Sequence, residues 1–187
     1  MPERTSGACV VVTGPSGSGK TTVVRQLIVT MPDTAQLITT TTRQPREGEC
    51  DGVDYHFVTR EAFIASRERG EFLEWAENYG ELYGSSKVEL DKLRATHSYV
   101  FAIVDVQGAS AYREKVPRAT LVLCWASLSE LERRMRSRPE MTEEKIGRRL
   151  AAAADEASFG KQCDYSVRCE GPIETTLTLF RSILALV

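Results

Sequence analysis

Hydrophobic positions along this chain fall into short blocks whose period switches between strand and helix. Cys9-Val10-Val11-Val12 is a continuous apolar run, rich in β-branched residues and stopped by Thr13-Gly14, which predicts a buried strand. Residues 20–31 place Val23, Val24, Leu27 and Ile28 near helical spacing, and Pro32 ends that helix. A loop holding Pro45, Gly48 and Gly52 spans 43–54. A short strand at 55–58 and a helix at 61–69, closed by Gly70, follow. Two strands, 72–77 and 82–85, flank a turn at Gly80. Beyond them the pattern predicts a helix at 87–96, a strongly apolar strand at 99–105, a helix at 108–115 and a strand at 120–125. An arginine-rich helix at 127–136 is broken by Pro139, and a polar helix with an alanine-rich centre spans 142–158. A strand at 165–167 and an amphipathic helix at 173–186 complete the chain. Strands alternating with helices predict an α/β fold, with a parallel sheet covered on both faces. The stretch 39–85 breaks the alternation and reads as a small mixed insertion on the ligand edge of that sheet.

Composition narrows the class. With 187 residues, 42% hydrophobic and 27% charged, the chain can bury a proper core. Lysine plus arginine (24) against aspartate plus glutamate (26) gives a net charge of −2, which argues against a nucleic-acid binder. Cys9, Cys50, Cys124, Cys163 and Cys169 show no Cys-x-x-Cys spacing and read as reduced thiols. No apolar leader follows the N-terminus and no apolar run is long enough for a bilayer. The expected address is the cytoplasm, with no membrane partner, as a monomer or a homo-oligomer.

The chemistry begins at Gly14-Pro15-Ser16-Gly17-Ser18-Gly19-Lys20-Thr21, a complete G-x-x-x-x-G-K-[ST] motif set after a strand and before a helix. Glycines let the backbone curl so that its N–H groups surround phosphates, helped by the helix N-terminus. Lys20 supplies charge between the β- and γ-phosphates, and the Thr21 hydroxyl can bind magnesium. With the adjoining Thr22, these nine residues form the expected ATP-binding set. Asp105, at the end of the predicted strand 99–105, is where ligands of open α/β sheets gather. It also reads as the N-cap of the next helix, and the two roles are compatible.

The insertion holds the residues that would select an acceptor. Arg43 and Arg46 suit a phosphate monoester through forked hydrogen bonds, and Tyr55 and Tyr83 can add phenolic donors. Glu74 lies in the otherwise apolar Phe72-Leu73-Glu74-Trp75-Ala76, where a carboxylate needs a partner. Guanine offers adjacent N1–H and N2–H₂ donors that a carboxylate accepts in pairs, and adenine offers no such pair. Strand periodicity alone leaves a solvated Glu74 equally open.

Taken together, the motifs resemble the guanylate kinase family, which moves the γ-phosphate of ATP onto GMP. The resemblance rests on Gly14 to Thr21, on Thr41-Thr42-Arg43-Gln44-Pro45-Arg46-Glu47-Gly48-Glu49 and on Asp51-Gly52-Val53-Asp54-Tyr55-His56-Phe57. It continues through Phe72-Leu73-Glu74-Trp75-Ala76, Tyr83-Gly84-Ser85 and Asp105-Val106-Gln107-Gly108 to Arg138 and Arg149, in order along nearly the whole chain. It implies a P-loop kinase with a core at 1–38, 86–130 and 160–187, a GMP-binding insertion at 39–85 and a helical lid at 131–159. Arg43, Arg46, Tyr55 and Tyr83 would hold the GMP phosphate. Glu74, Ser85 and Thr39 would read guanine, with Thr39 standing where serine is usual, and Asp105 would lie near the acceptor. Lys20, Arg43, Arg138 and Arg149 would surround the transferring phosphoryl group, with magnesium held by Thr21 and Asp105. Arg133, Arg134 and Arg148 are expected to be solvated.

Three positions depart from the resemblance. Ile103 stands where the first of two acids before the helix is usual, which bears on turnover or on acceptor choice. Val167-Arg168-Cys169-Glu170 lacks the asparagine usual beside adenine, so ATP is the default donor. Pro139 replaces a lid glycine and stiffens that hinge. Two other readings stay open: a related kinase acting on a sugar phosphate such as ribose 1,5-bisphosphate, and a non-catalytic binding module on the same fold. The intact Lys20 and Thr21 argue against the second. Glu74, Ser85, Arg43 and Arg46 argue against the first, and dGMP is expected to share the site with GMP.

Overall fold

The computed structural model describes residues 6–139 and 141–187. In chain order the elements are β1 (Ala8–Thr13), α1 (Lys20–Thr30), β2 (Thr34–Leu37), β3 (Thr40–Thr41), β4 (His56–Phe57), α2 (Arg60–Glu68), β5 (Phe72–Asn78) and β6 (Glu81–Ser86). They continue with α3 (Lys87–Thr96), β7 (Tyr99–Ile103), α4 (Val106–Lys115), β8 (Thr120–Trp125), α5 (Leu128–Arg136) and α6 (Glu143–Ser158). A short 3₁₀ turn, Phe159–Gln162, leads to β9 (Tyr165–Arg168) and α7 (Ile173–Leu184).

The core sheet is parallel, in the order β2-β7-β1-β8-β9. Its central strand β1 shows why a continuous apolar run was needed. Cys9 and Val11 point into one apolar layer with Leu37, Leu90, Ala102, Tyr112 and Leu121. Val10 and Val12 point into the opposite layer with Val24, Leu27, Phe101, Val122 and Phe180. Successive side chains alternate faces, and here both faces are covered by helices. β2 has no counterpart among the expected strands, because it lies at the sheet edge and only Leu37 of its four residues is buried. No helix among the described residues is long and apolar enough to cross a membrane. All five cysteines are free thiols.

The insertion forms a second, mixed sheet in the order β4-β3-β6-β5. β3 runs parallel to β4 and antiparallel to β6, and β5 and β6 form an antiparallel hairpin. Phe63 of α2 stacks on Phe72 with ring centroids 4.5 Å apart, closing the sheet's outer face. Lys115 of α4 ties the hairpin to the core by donating to the Leu73 carbonyl at 2.8 Å. α5 and α6 share their own apolar cluster, Leu131, Met135, Ile146 and Ala153, with Leu131 and Met135 one helical turn apart.

β7 stops at Ile103, two residues before the expected end of that strand, and α4 begins two residues early. Asp105 therefore leaves the ladder and caps α4, its carboxylate accepting the Gly108 N–H at 2.7 Å. An N-cap carboxylate replaces the missing acceptor of the first helical turn, which outweighs extending the strand.

Candidate active site

The phosphate loop leaves β1 and is closed by the first turn of α1. Gly14, Gly17 and Gly19 have φ of 129°, 85° and 99°. At Gly14 a Cβ would lie 2.0 Å from the Cys124 carbonyl oxygen, so only glycine lets the loop pass this close to β8. α1 has no side-chain cap and no acidic residue in its first turn, which leaves its N-terminal amides to an anion. The Lys20 ammonium folds back onto the carbonyls of Gly14 and Pro15, the latter at 2.9 Å. Burial pushes its pKa below the ordinary lysine range. Ser18 Oγ is buried without a hydrogen-bond partner, while Thr21 and Thr22 are exposed. The loop's N–H groups and the Lys20 ammonium fit a polyphosphate, and the exposed Thr21 hydroxyl fits a magnesium ion beside it.

A cavity of about 290 Å³ runs from this loop to the insertion and the α5–α6 hairpin. It is lined by Gly14, Ser16, Gly17, Gly19, Lys20, Thr21 and Thr22 of the loop, by Thr39, Arg43, Arg46, Tyr55, Glu74 and Tyr83 of the insertion, and by Asp105, Arg138 and Arg149. Of the residues expected at the site, Pro15, Ser18 and Ser85 stand behind this lining, and Ser85 touches it through Glu74. A larger depression of about 690 Å³ lies at the other ends of the strands. Its Arg94 and Arg113 are already held by the Gly7 carbonyl and by Asp164.

On the insertion side, Arg43 donates to both oxygens of Glu49 at 2.9 Å and lies 5.2 Å over the Tyr55 ring. Tyr83 meets Tyr55 edge-on at 6.1 Å. Glu74 is only 6% exposed, turned inward like Ala76, and a β-bulge lies just before it, between Phe72 and Glu74. The extra residue breaks the alternation, so Leu73 and Glu74 both turn inward. Ser85 Oγ donates to Glu74 Oε1 at 2.5 Å. Burial raises the Glu74 pKa to about 7; the Ser85 hydrogen bond pulls it down and the nearby Asp105 charge pushes it up. The other oxygen, Oε2, sits over the start of α4, where a Cβ on Gly108 would come within 3.2 Å.

Asp105 has its second oxygen in contact with the Asn78 side-chain amide, at the end of β5. Ile103 and Val104 line the cavity next to it, giving an apolar floor. Arg149 of α6 donates to Ser16 Oγ at 2.6 Å and lies 5.1 Å over the Tyr79 ring.

Arg134 corrects the expectation of a solvated side chain. Its guanidinium donates to the carbonyls of Gly17 (3.2 Å), Ser18 (3.3 Å) and Cys169 (2.7 Å), bracing the phosphate loop from behind. The signal was its spacing, three residues after buried Leu131 and so on the inward side of α5. Arg133 and Arg148 are exposed in carboxylate pairs, as expected. Sequence reasoning also missed Asn78, Tyr79 and Glu156, which all line the cavity. Glu156 makes no hydrogen bond or ion pair with the described residues, and burial raises its pKa while Lys20 and Arg149 hold it down.

Comparison with known proteins gives the family. A family model described as guanylate kinase matches residues 6–185. Guanylate kinase of Nitratidesulfovibrio vulgaris is 45% identical over 166 residues, covering 88% of this chain and 80% of that protein. Guanylate kinase of Chlamydia felis is 37% identical over 173 residues, covering 92% and 84%. The crystal structure of guanylate kinase from Anaplasma phagocytophilum superposes with a TM-score of 0.79 at 30% identity, covering 97% of this chain and 86% of that one. A phosphate loop, a carboxylate-lined insertion and a match over almost its full length place this chain in the guanylate kinase family of P-loop nucleoside monophosphate kinases.

Proposed function

We propose that the chain catalyses ATP + GMP → ADP + GDP, with dGMP as a second acceptor and magnesium as the metal. The observation that carries the acceptor assignment is Glu74, a buried carboxylate fixed by Ser85 on the wall of the cavity that also holds the phosphate loop. Only an ionised carboxylate offers two acceptors to the N1–H and N2–H₂ edge of guanine. Thr39 adds a hydroxyl to the same wall. In this reading 39–85 binds GMP, 131–159 is the lid and the remainder is the core.

The GMP phosphate is held by Arg43, Arg46, Tyr55 and Tyr83. Arg43 donates through one terminal nitrogen to both oxygens of Glu49, which steadies the guanidinium on the cavity wall where it can donate to a phosphate. One GMP phosphate oxygen attacks the γ-phosphorus in line, the bond to the β-bridging oxygen breaks and ADP leaves with the electron pair. No covalent enzyme intermediate is needed, so catalysis is positioning and charge stabilisation. Lys20 supplies charge to the phosphates from the loop, and Arg138 and Arg149 close over the transferring group. Thr21, with Asp105 beyond it, would hold magnesium, which neutralises charge on the phosphate oxygens. Closure of the lid excludes water and so prevents ATP hydrolysis. Free thiols and nucleotide substrates suit the cytoplasm and purine nucleotide metabolism.

The test is ADP release from ATP and magnesium with GMP, dGMP, AMP, UMP, CMP and ribose 1,5-bisphosphate supplied separately. Turnover confined to GMP and dGMP is expected. Turnover with the sugar phosphate alone, or with no acceptor, would overturn the reading.

A further inference from the structure

The hairpin from β5 to β6 turns through Tyr79 and Gly80, with φ of 54° and 85°. Two successive positive φ values make the tight reversal that suits twisted strands, and its first position favours Asn, Asp or Gly. A tyrosine there is strained, because its Cβ crowds the following carbonyl in left-handed backbone. Burial does not account for the ring, which is 58% exposed. Strained residues that persist tend to lie at functional sites, which directs attention to what the ring touches.

The ring carries a charge on its face. The Arg149 guanidinium carbon lies 5.1 Å from the Tyr79 centroid, and the same guanidinium donates to Ser16 Oγ at 2.6 Å. A guanidinium over an aromatic face at this range is attracted by the ring quadrupole. One arginine from α6 thus spans from the insertion hairpin to the phosphate loop, and Ser16, Tyr79 and Arg149 all line the cavity. The residue before it, Asn78, reaches Asp105 of the core, so the turn that presents the ring is itself anchored.

We propose that Tyr79 is a positioning residue whose ring docks Arg149 over the phosphate loop, linking placement of the acceptor hairpin to the aim of the lid arginine. The proposal rests on the reading of Arg149 as a group that stabilises the transferring phosphoryl. It acts through Arg149 alone. Loss of the ring therefore lowers kcat and leaves ground-state binding of both nucleotides nearly unchanged.

The test compares Tyr79→Asn, Tyr79→Leu and Tyr79→Phe, alone and with Arg149→Ala, in steady-state turnover and thermal melting. Tyr79→Asn relieves the turn, so its Tm is expected to rise while kcat falls about three- to tenfold. Tyr79→Leu loses kcat similarly, and Tyr79→Phe restores it to within about twofold of the parent, with both KM values moving less than about twofold. With Arg149→Ala present, Tyr79→Asn changes kcat by less than about twofold, because the ring has lost its cation. A merely structural turn residue would leave kcat intact in the more stable Tyr79→Asn protein, or would cost the same factor in both backgrounds. Either result overturns the proposal. An Arg149→Ala protein as fast as the parent would overturn the role of Arg149 itself. A slow Arg149→Ala beside a fast Tyr79→Asn overturns the docking role alone.

Discussion

Ser85 Oγ donates to Glu74 Oε1 at 2.5 Å across the β5–β6 hairpin, and that contact helps to hold a buried carboxylate on the wall of the cavity that the phosphate loop also lines. In the role of guanine reader proposed for it, Glu74 would change protonation in the physiological range, since burial raises its pKa to about 7. The proton must leave before the group can accept both guanine donors. Guanosine has no phosphate of its own to titrate, so as a competitive inhibitor it isolates this step. Its affinity is expected to fall about tenfold from about pH 8 to pH 6. Ser85→Ala removes the hydrogen bond that holds the pKa down, so the fall moves to higher pH.

The same burial makes ionised Glu74 costly to the fold. Its folded pKa, about 7, lies above the ordinary value of 4.5, so between these pH values the folded state binds more protons than the unfolded chain. The stabilising contribution is full below 4.5 and is lost as pH rises through about 7. The loss is on the order of 3 kcal/mol at most. Glu74→Gln removes it. Denaturant unfolding should show the variant gaining stability over the parent at pH 8 and little or none at pH 4.5.

Gly108 sits where the start of α4 passes under Glu74. An added methyl would lie 2.8 Å from Val104 Cβ and 3.2 Å from Glu74 Oε2. Gly108→Ala is expected to cost about 1–3 kcal/mol in stability through overpacking. By displacing Glu74 it should raise KM for GMP about tenfold and leave KM for ATP within about twofold. Steady-state titration of each nucleotide separates the two.

Arg134 braces three carbonyls behind the phosphate loop. Arg134→Ala leaves those carbonyls without their donor and should lower stability by about 1–3 kcal/mol. It should also raise KM for ATP. Arg133→Ala, at an exposed neighbour, serves as the control and should leave both unchanged.

Much of this site was legible in the sequence because its chemistry sits in contiguous motifs. Gly14 to Thr21 announces a phosphate site by glycine spacing, and the structure gives those glycines positive φ where the spacing requires it. The alternation of strands and helices carried the parallel core because buried strands are apolar on both faces. What was not legible depends on contacts distant in sequence or on broken periodicity. β2 buries one side chain and so left no pattern. Glu74 alternates inward with Ala76, but the bulge at Phe72/Glu74 turns Leu73 inward too, so periodicity alone does not tell which face of the strand is buried. Arg134 sits in a run of arginines whose charge suggested water, and only packing against the loop distinguishes it. Tyr79 and Arg149 are 70 residues apart and meet only through the tertiary fold.

The most direct test of the central claim is the ratio of kcat/KM for GMP over AMP, measured in the parent and in Glu74→Gln. A site built to hydrogen-bond guanine should prefer GMP by about 10⁴-fold, and Glu74→Gln should bring that preference to within about 100-fold. A preference for GMP unchanged by Glu74→Gln would contradict the assignment of Glu74 as the residue that reads the base.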